Sequence, residues 1–331
     1  MFPTGYTMTL PIRYEVKMNG WNTPPEYLSY VDEHWLKFEA PNPMMHHLLG
    51  VLYIFLTFCS CVGNGCVIWI FLTSKSLRTP SNMLIVNLAL ADFVMMLKTP
   101  VFIINSFNEG PVMGRLGCQI YGLMGAYTGP GAACTNAAIA FDRYRTITNP
   151  LEGRLTSGQV TAILFFIYAW ITPWVLMPFL EIWNRFVPDL DVDVDVDTDT
   201  DPNTDKHRHK NASKMNVDSL RSGDKTNMRQ EVRVAKVGAT LTSLFLISWT
   251  PYAVVAFTCT FGRPDLVTPF VSMIPACTSK TAACIDPFVY AINHPKYRIE
   301  LGKKMPWFCV HEKEETSAPS ETVSKEAPAN A

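Results

Sequence analysis

Charged residues are scarce in this chain of 331 residues. They make up 17% of it, against about 25% in an ordinary soluble protein. The mean hydropathy is +0.10 even though both ends and a middle segment are polar, so the apolar residues are concentrated in blocks. The net charge is −1, which excludes the general basic field that is typical of nucleic-acid-binding proteins.

Several motifs of catalysis and metal binding are also missing. The nine cysteines are scattered, and no CxxC pair is matched by a second CxxC or by an HxxxH, so zinc-ligand spacing is absent. There is no glycine-rich phosphate loop and no arrangement of Ser, His and Asp that pairs a nucleophile with a base. We therefore expect neither an enzyme nor a metal site. No basic stretch precedes a short apolar run at the N-terminus, which argues against a cleavable signal peptide.

The apolar blocks have the length of membrane spans. The first block contains no charged residue and is long enough to cross about 30 Å of hydrocarbon as a helix. Hydropathy predicts six spans, and the chain is therefore expected to be an all-α membrane protein. The blocks are residues 48–72, 83–107, 118–141, 158–183, 237–261 and 267–293.

Basic residues predict the orientation. Lys75 and Arg78 follow the first span, three arginines follow the third, and lysines and arginines follow the last. Short loops rich in Lys and Arg face the cytoplasm, so residues 1–47 should be extracellular. Residues 294–311 should form an amphipathic cytoplasmic segment, and residues 312–331, which are rich in Glu, Ser, Ala and Pro, a disordered tail.

Lys280 lies in the middle of the last span. A charged lysine at the bilayer centre costs roughly 2.5–3.5 kcal/mol on insertion scales. A structural alternative is a lysine that extends to the membrane surface, but this position is too deep for that. We therefore favour a desolvated amine that forms a Schiff base with a carbonyl ligand.

Short motifs occur in order, about one in each span. They are Gly63-Asn64, NLALAD ending at Asp92, Asp142-Arg143-Tyr144, SWTPY over 248–252 and DPFVY over 286–290. Together with Lys280 they resemble the rhodopsin-like G-protein-coupled receptors, and among these the opsins. The stretches KSLRTPSNMLIVNLALADFVMMLKTPVFIINSF and AINHPKYRIELGKKMPW resemble arthropod visual opsins, most of all the ultraviolet- and blue-sensitive group. The resemblance covers about residues 20–183 and 214–308.

The resemblance implies a role for each matched residue. Lys280 would carry 11-cis-retinal, or 3-hydroxyretinal, covalently, and Trp249 and Tyr252 would line its pocket. The residues of the G-protein switch would be Asp142, Arg143, Tyr144 and Glu231. The polar core would consist of Asn64, Asp92, Asp286, Pro287 and Tyr290.

The implied partners follow the same resemblance. The segment His294-Pro-Lys-Tyr-Arg298 is similar to the motif of invertebrate opsins that signal through a Gq-type G protein. Arrestin and a receptor kinase are further expected partners, membrane lipid surrounds the spans, and nucleic acid is excluded. The expected location is the plasma membrane of the photoreceptor rhabdomere.

Three residues are candidates for the counterion or for spectral tuning. Tyr121 occupies the place where vertebrate visual pigments carry an acid, and Asp189 matches an acid of the second extracellular loop. Lys98 either extends outward or lies near the Schiff base. In the second case it disfavours another positive charge there, and an unprotonated Schiff base absorbs in the ultraviolet. We favour the second interpretation.

The pattern departs from the family after the fourth span. Residues 184–233 are first rich in Asp, with eight between 189 and 205, and then basic. They replace most of the second extracellular loop and the whole fifth helix, so we predict a seven-helix bundle that lacks its fifth helix. The Asp run has neither the Gly nor the Glu of a calcium loop, and like charges in series are usually solvated. The basic part should lie in the cytoplasm, yet no span carries the chain back across.

Two cysteines complete the set of expected sites. Cys118 would form the family disulfide, but its partner is absent because the chain has no cysteine between Cys134 and Cys259. Cys309 is a candidate for palmitoylation, although a structural role is equally plausible.

Three functions remain open on the sequence. The first is a light-sensing receptor. The second is a truncated isoform, or the product of an incomplete gene, that binds retinal without signalling or misfolds. The third, a receptor for a diffusible ligand or a transporter, does not explain Lys280.

Overall fold

The computed structural model describes residues 17–28, 31, 33–149, 153–183, 185–186 and 224–308. In the helix that begins at Asp224, side chains are described at Arg233 and from residue 235 onward. Asp189, most of the Asp-rich stretch, Cys309 and the C-terminal tail lie outside the described residues. The side chain of Glu231 does so as well.

The described residues form nine α-helices and four short 3-10 turns. The helices are α1 (Pro25–Leu28), α2 (Pro43–Thr73), α3 (Pro80–Leu97), α4 (Thr99–Phe107), α5 (Gly114–Thr148), α6 (Ser157–Phe179), α7 (Asp224–Phe261), α8 (Pro269–Asn293) and α9 (Pro295–Lys304). The turns are Trp35–Lys37, Lys75–Leu77, Pro264–Leu266 and Pro306–Phe308.

Polar caps fix where the long helices begin. Asn42 accepts a hydrogen bond from the Met44 amide at 2.9 Å, and Pro43 follows as the first helical residue, where its missing N–H costs nothing. The first span therefore starts five residues before the predicted residue 48. Thr156 and Gln159 form a reciprocal capping box at the start of α6.

The second span is broken, whereas we predicted one continuous block. α3 ends at Leu97 and α4 starts at Thr99, because Pro100 has no N–H to donate to the preceding turn. The Thr99 hydroxyl donates instead to the Met96 carbonyl at 2.6 Å. The hydroxyl thus takes the place of the missing N–H as donor to the Met96 carbonyl inside the bundle. Lys98 lies at the junction between the two helices.

Other predicted boundaries also move. α5 extends beyond 118–141 at both ends, and α6 ends at Phe179 instead of 183. α7 starts at Asp224, inside the segment expected to be a linker up to residue 233.

Four helical segments, one of them made of α3 and α4 together, are long and apolar enough by composition to cross a membrane. They are Pro43–Thr73, the joined pair Pro80–Phe107, Ser157–Phe179 and Ala235–Phe261. α5 and α8 were also predicted to span, and they are 35 and 25 residues long, but they do not reach that apolarity. Both are rich in small and polar residues that are buried among the other helices, so they have less need of an apolar surface toward lipid.

α5 lies centrally and packs on α3, α6 and α7, while α8 packs on α2 and α7. Asn87 links three helices, since its amide donates to the Thr135 hydroxyl at 2.8 Å and its carbonyl accepts from the Tyr168 hydroxyl at 3.2 Å. Interhelical polar contacts of this kind hold helices together in lipid, where the hydrophobic effect is absent.

The contacts of α5 show which way the neighbouring helices run. Phe186, just after α6, lies against Gly122 in the first half of α5, whereas Gly238 near the start of α7 lies against Arg143 in its last turns. α6 therefore ends at one end of the bundle and α7 begins at the other.

The N-terminal segment packs across the Phe186 end of the bundle. Its backbone pairs with itself through the bonds from Asn19 N–H to Phe38 O (2.8 Å) and from Ala40 N–H to Lys17 O (2.9 Å). His34 Nε2 lies 2.7 Å from the carbonyl oxygen of Val267, between α7 and α8. The segment is thereby fixed over the last two long helices.

Candidate functional site

Lys280 is buried in the interior of the bundle. It lies on α8, and only 5% of its surface is exposed. Thr281, the next residue, is 3.4 Å from the Ser248 hydroxyl of α7, so α7 and α8 are joined beside the lysine. A buried amine held among helices is the arrangement that the sequence predicted.

Trp249 connects α7 to α5 one residue after that contact. Its indole stacks on Phe245 at a centroid distance of 5.4 Å and meets the Tyr252 ring edge-on at 5.7 Å. A Cβ at Gly129 would lie 3.3 Å from the indole, so the absence of a side chain there lets the ring approach α5. Trp249 and Tyr252 thus lie side by side on α7, and their role in a retinal pocket stays a prediction.

Lys98 and Tyr121 form a second buried pair. The ammonium of Lys98 lies 3.9 Å from the centroid of the Tyr121 ring, and Lys98 is only 3% exposed. A cation over an aromatic face is stabilised by the ring quadrupole. Lys98 therefore does not extend outward, and its effect on a Schiff base at Lys280 stays a prediction.

The residues predicted to form the polar core are buried on neighbouring helices. The Asn64 amide donates to the Ser60 carbonyl at 3.1 Å and to the Ala283 carbonyl at 2.8 Å. Asp92 and Asp286 lie close enough for their carboxyl groups to interact. These residues lie on α2, α3 and α8, and all are buried, so they couple the three helices.

Pro287 and Tyr290 lie farther along α8. A Cβ at Gly63 would lie 2.8 Å from Pro287 Cγ, which shows how closely α2 and α8 approach. Tyr290 is fully buried, and its ring meets Phe71 edge-on at 6.4 Å. The DPFVY motif therefore forms a packing surface as well as a polar one.

The Asp-Arg-Tyr motif separates into two parts. Arg143 Nη2 lies 2.7 Å from Asp142 Oδ2, and the Asp142 side chain is fully buried. Tyr144 is 65% exposed and takes no part in this pair. The expected contact between Arg143 and Glu231 involves a side chain that is not described, although both residues lie at the same end of the bundle.

His294, the first residue of the His-Pro-Lys-Tyr-Arg segment, lies at the same end of the bundle as Arg143. Its Nδ1 accepts from the Tyr297 amide at 3.1 Å and caps α9. Burial, and then the charges of Arg143 and Lys296, lower the pKa of His294 to about 4. The ring is therefore neutral at ordinary pH. The proline that follows His294 was the sequence signal that a helix begins here.

The opposite end of α5 is tied to α6 by an ion cluster that the sequence analysis missed. Arg115 Nη2 lies 2.5 Å from Glu181 Oε1, and Arg185 Nη2 lies 3.8 Å from Glu181 Oε2. Glu181 has φ of 56°, a left-handed conformation that ends α6. Cys118, whose family partner is absent from the sequence, is half-buried one turn from Arg115.

Comparison with known proteins agrees with these features. The family model for the seven-transmembrane receptors of the rhodopsin family matches residues 63–201. The ultraviolet-sensitive opsin of Apis mellifera is 47% identical, with 93% of this chain and 94% of the relative covered. The chain belongs to the opsin family. Within it, the relatives place this opsin in the ultraviolet- and blue-sensitive visual group of arthropods.

Two further opsins and one solved structure are also similar to this chain. Opsin Rh3 of Drosophila melanogaster is 46% identical to this opsin over 95% of the chain and 92% of the relative. The blue-sensitive opsin of Apis mellifera is 43% identical over 91% and 89%. The crystal structure of squid rhodopsin has a TM-score of 0.69 at 24% identity, with 90% of this opsin and 97% of that chain covered, and it confirms the rhodopsin-like fold.

Membership in the opsin family indicates the general class of this protein, its chromophore and its partner. The opsin is a multi-pass membrane receptor of the visual system and not an enzyme. Its family implies a retinal chromophore and a heterotrimeric G protein as partner.

Proposed function

We propose that this opsin senses ultraviolet or short-wavelength light through 11-cis-retinal, or 3-hydroxyretinal, held covalently by Lys280. The observation that carries the proposal is the burial of the Lys280 amine in the middle of the bundle. Retinal, bound as a Schiff base, would supply the light-absorbing polyene. The residues fit this group, because the amine is shielded from water and the rings of Trp249 and Tyr252 lie one helix away.

Trp249 is the residue best placed to transmit a change in the pocket. It contacts α5 at Gly129, and the ion pair of Asp142 and Arg143 lies farther along the same helix. A movement of the indole away from Gly129 would release α5 from α7. We expect Arg143 then to leave Asp142, and the predicted contact with Glu231 to open with it.

Lys98 and Tyr121 set the wavelength in this proposal. A buried cation disfavours a second positive charge in a medium of low dielectric. Tyr121 holds Lys98 in place through its ring without supplying a negative charge. The Schiff base on Lys280 would then remain unprotonated. Asp189, the third candidate, stays a prediction, since it lies outside the described residues.

The proposed signalling partner is a Gq-type G protein at the end of the bundle that carries Arg143. That end is basic, with Lys236, Lys296, Arg298 and Lys303 among its side chains, so it should face the cytoplasm. Arrestin and a receptor kinase are proposed to act at the same end, and Cys309 to carry a palmitoyl anchor. The proposed location is the rhabdomere membrane.

We also propose that the bundle lacks the family's fifth helix. The alignment with the Apis ultraviolet opsin spans 347 positions, more than the 331 residues of this chain, although only 93% of the chain takes part. The relative therefore has residues without a counterpart here, which supports six spans.

Pigment formation tests the proposal directly. The full chain is reconstituted with 11-cis-retinal, and absorbance is recorded in the dark and after illumination. A short-wavelength band that changes with light is expected. Lys280→Ala should abolish it, because this variant lacks the amine that is proposed to form the Schiff base. Lys303→Ala, which removes an exposed lysine, is the matched control and should leave the band unchanged. A covalent pigment in the Lys280→Ala protein would contradict the proposal.

A second candidate is an opsin that binds retinal without signalling. Exposed aromatic and aliphatic side chains on α6 and α7, among them Trp170, Ile247 and Phe257, agree with a bundle that has lost a neighbouring helix. Such a protein would form the pigment but would not activate a G protein in the light.

A further inference from the structure

A cationic cleft lies where α7 begins, α8 ends and α9 starts. It has a volume of about 240 Å³ and is lined by Arg233, Lys236, Ile292, Asn293, Pro295 and Arg298. Half of these residues carry a positive charge, and the described lining contains no carboxylate. None of them belongs to the proposed retinal site. The cleft therefore concentrates positive charge at one place on the bundle.

The surroundings strengthen this charge. Lys296 is exposed and directly follows Pro295 of the lining, so it adds a further positive charge. The charges of Arg143 and Lys296 both act on His294, the residue before Pro295. A Cβ at Gly238, two residues after Lys236, would lie 2.8 Å from Cγ of Arg143, but the guanidinium of Arg143 is paired with Asp142 and adds little to the charge of the cleft.

The chemistry of the lining suits a phosphate group. A guanidinium offers a planar fork of donors that matches phosphate oxygens, and a lysine adds a mobile point charge. Arg298 also donates to the Ile292 carbonyl at 3.4 Å, which holds its guanidinium at the cleft. A volume of 240 Å³ corresponds to roughly eight water molecules at their share of the bulk liquid, so there is room for a phosphate and for the group that bears it.

The position of the cleft favours a lipid as the source of that phosphate. Lys304, at the end of α9, lies 4.9 Å from the centroid of the Trp69 ring at the end of α2. Trp307 follows and is 71% exposed. Tryptophans in such positions mark the boundary between hydrocarbon and water, and basic groups there attract anionic lipids.

We propose that this cleft binds the phosphate-bearing headgroup of an anionic lipid of the cytoplasmic leaflet. The headgroup would contact α7 through Arg233 and Lys236 and α9 through Arg298. Binding would therefore hold the start of α7 next to α9. This inference is independent of retinal.

The test uses the full chain in phosphatidylcholine nanodiscs, in the dark and without retinal. A fluorescent short-chain phosphatidylinositol 4,5-bisphosphate is titrated in, and anisotropy is measured. Saturable binding is expected, and Arg233→Gln with Lys236→Gln and Arg298→Gln should weaken it by about tenfold or more, because charge-assisted bonds to phosphate are lost. The matched control combines Lys75→Gln, Arg78→Gln and Lys303→Gln, which remove the same charge from exposed positions at the same end, and should change the affinity much less.

Lys236→Glu is a second variant for the case that Arg298→Gln impairs folding. Lys236 is exposed, so its replacement should leave the thermal stability unchanged while it weakens binding. Because no retinal or light is used, a failure of the pigment experiment leaves this test unaffected.

Any one of four results would overturn the proposal. The first is the absence of saturable binding, and the second is an equal loss in the cleft variants and the control, which indicates general surface attraction. In the third, soluble inositol trisphosphate or inorganic phosphate binds as tightly as the lipid, which assigns the cleft to free phosphate. A peptide with a free carboxylate that binds where the lipid does not would likewise assign it to a protein partner.

Discussion

Two buried lysines carry the proposed chemistry of this opsin at the scale of single residues. Lys280 and Lys98 are 5% and 3% exposed, and each ammonium inside a membrane protein costs several kcal/mol unless the site stabilises it. Lys98 is stabilised by the Tyr121 ring. For Lys280 we propose that covalent attachment of retinal removes the cost, since a neutral Schiff base carries no charge.

Replacing Lys98 tests the tuning argument. Lys98→Gln removes the buried cation, so a protonated Schiff base becomes favourable and the absorption band should move to longer wavelength. The band is measured after reconstitution with 11-cis-retinal. Tyr121→Phe keeps the aromatic face beneath Lys98 and serves as the control, with little shift expected. An ultraviolet band in Lys98→Gln that equals that of the unchanged chain would contradict a role for Lys98.

His294 makes stability depend on pH. Burial and the charges of Arg143 and Lys296 lower the pKa of this histidine from 6.5 to about 4. Between these values the unfolded chain binds more protons than the folded protein. The contribution of the neutral ring is complete above about pH 6.5, and the free energy of unfolding falls by roughly 1.4 kcal/mol per pH unit as the pH drops through this window.

Thermal unfolding in nanodiscs between about pH 7 and pH 4.5 measures this effect. His294→Gln should flatten the decline at low pH, because glutamine retains an acceptor for the Tyr297 amide but does not titrate. His47→Gln changes an exposed histidine and should leave the slope as it was. An unchanged slope in His294→Gln would show that other groups cause the decline.

At the scale of the helices, close backbone approach decides where α2 and α8 meet. A Cβ at Gly63 would lie 2.8 and 2.9 Å from two carbons of Pro287, and a proline inside a packed helix has little freedom to yield. Gly63→Ala should therefore lower the free energy of unfolding by about 1–3 kcal/mol. Gly65→Ala places its Cβ 3.7 Å from Phe93, an ordinary contact.

Thermal unfolding of the two variants compares a tight site with a loose one on the same helix. Gly65→Ala should be neutral or slightly stabilising, because alanine favours the helix over glycine by about 1 kcal/mol. Equal unfolding temperatures would contradict the close approach of α2 and α8 at Gly63 and Pro287.

The helices themselves were largely predictable, but their limits were not. The block 48–72 is uninterrupted by charge, so hydropathy detects α2 easily. The break at Lys98 depends on Pro100 and on the bond from Thr99 to the Met96 carbonyl, a local exchange of donors that hydropathy does not register. The early start of α7 at Asp224 lies in a polar stretch that apolarity cannot reveal.

The site residues were predictable from motifs, whereas their partners were not. Lys280, Trp249 and Asp286 follow from sequence position, but the contact of Trp249 with Gly129 requires the packing of α5 on α7. The cluster of Glu181 with Arg115 and Arg185 depends on the left-handed turn that ends α6. No spacing rule connects these residues.

At the scale of the whole molecule, the chain must change ends between α6 and α7. Phe186, which follows α6, lies against Gly122 of α5, whereas Gly238 in the first half of α7 lies against Arg143 near the other end of α5. An extended chain covers about 3.3 Å per residue and the hydrocarbon core is about 30 Å thick, so residues 187–223 are long enough. Without a fifth helix the connection is polar, and this opposes the preference for charges to stay in water.

Labelling of engineered cysteines tests the orientation of the last two spans. Asp265 is exposed in the turn between α7 and α8, so Asp265→Cys should react with a membrane-impermeant maleimide on intact cells. Lys75→Cys, after the first span, should react only after permeabilisation. Labelling of Asp265→Cys solely in permeabilised cells would show that α7 and α8 are inverted.

The most direct test of the central claim is light-dependent nucleotide exchange on a purified Gq-type heterotrimer. The full chain is reconstituted with 11-cis-retinal and compared in light and darkness, with Lys280→Ala alongside. The account predicts exchange that rises on illumination and is lost in the variant. A pigment that responds to light while exchange stays at its dark rate would contradict the claim and identify a retinal-binding protein that does not signal.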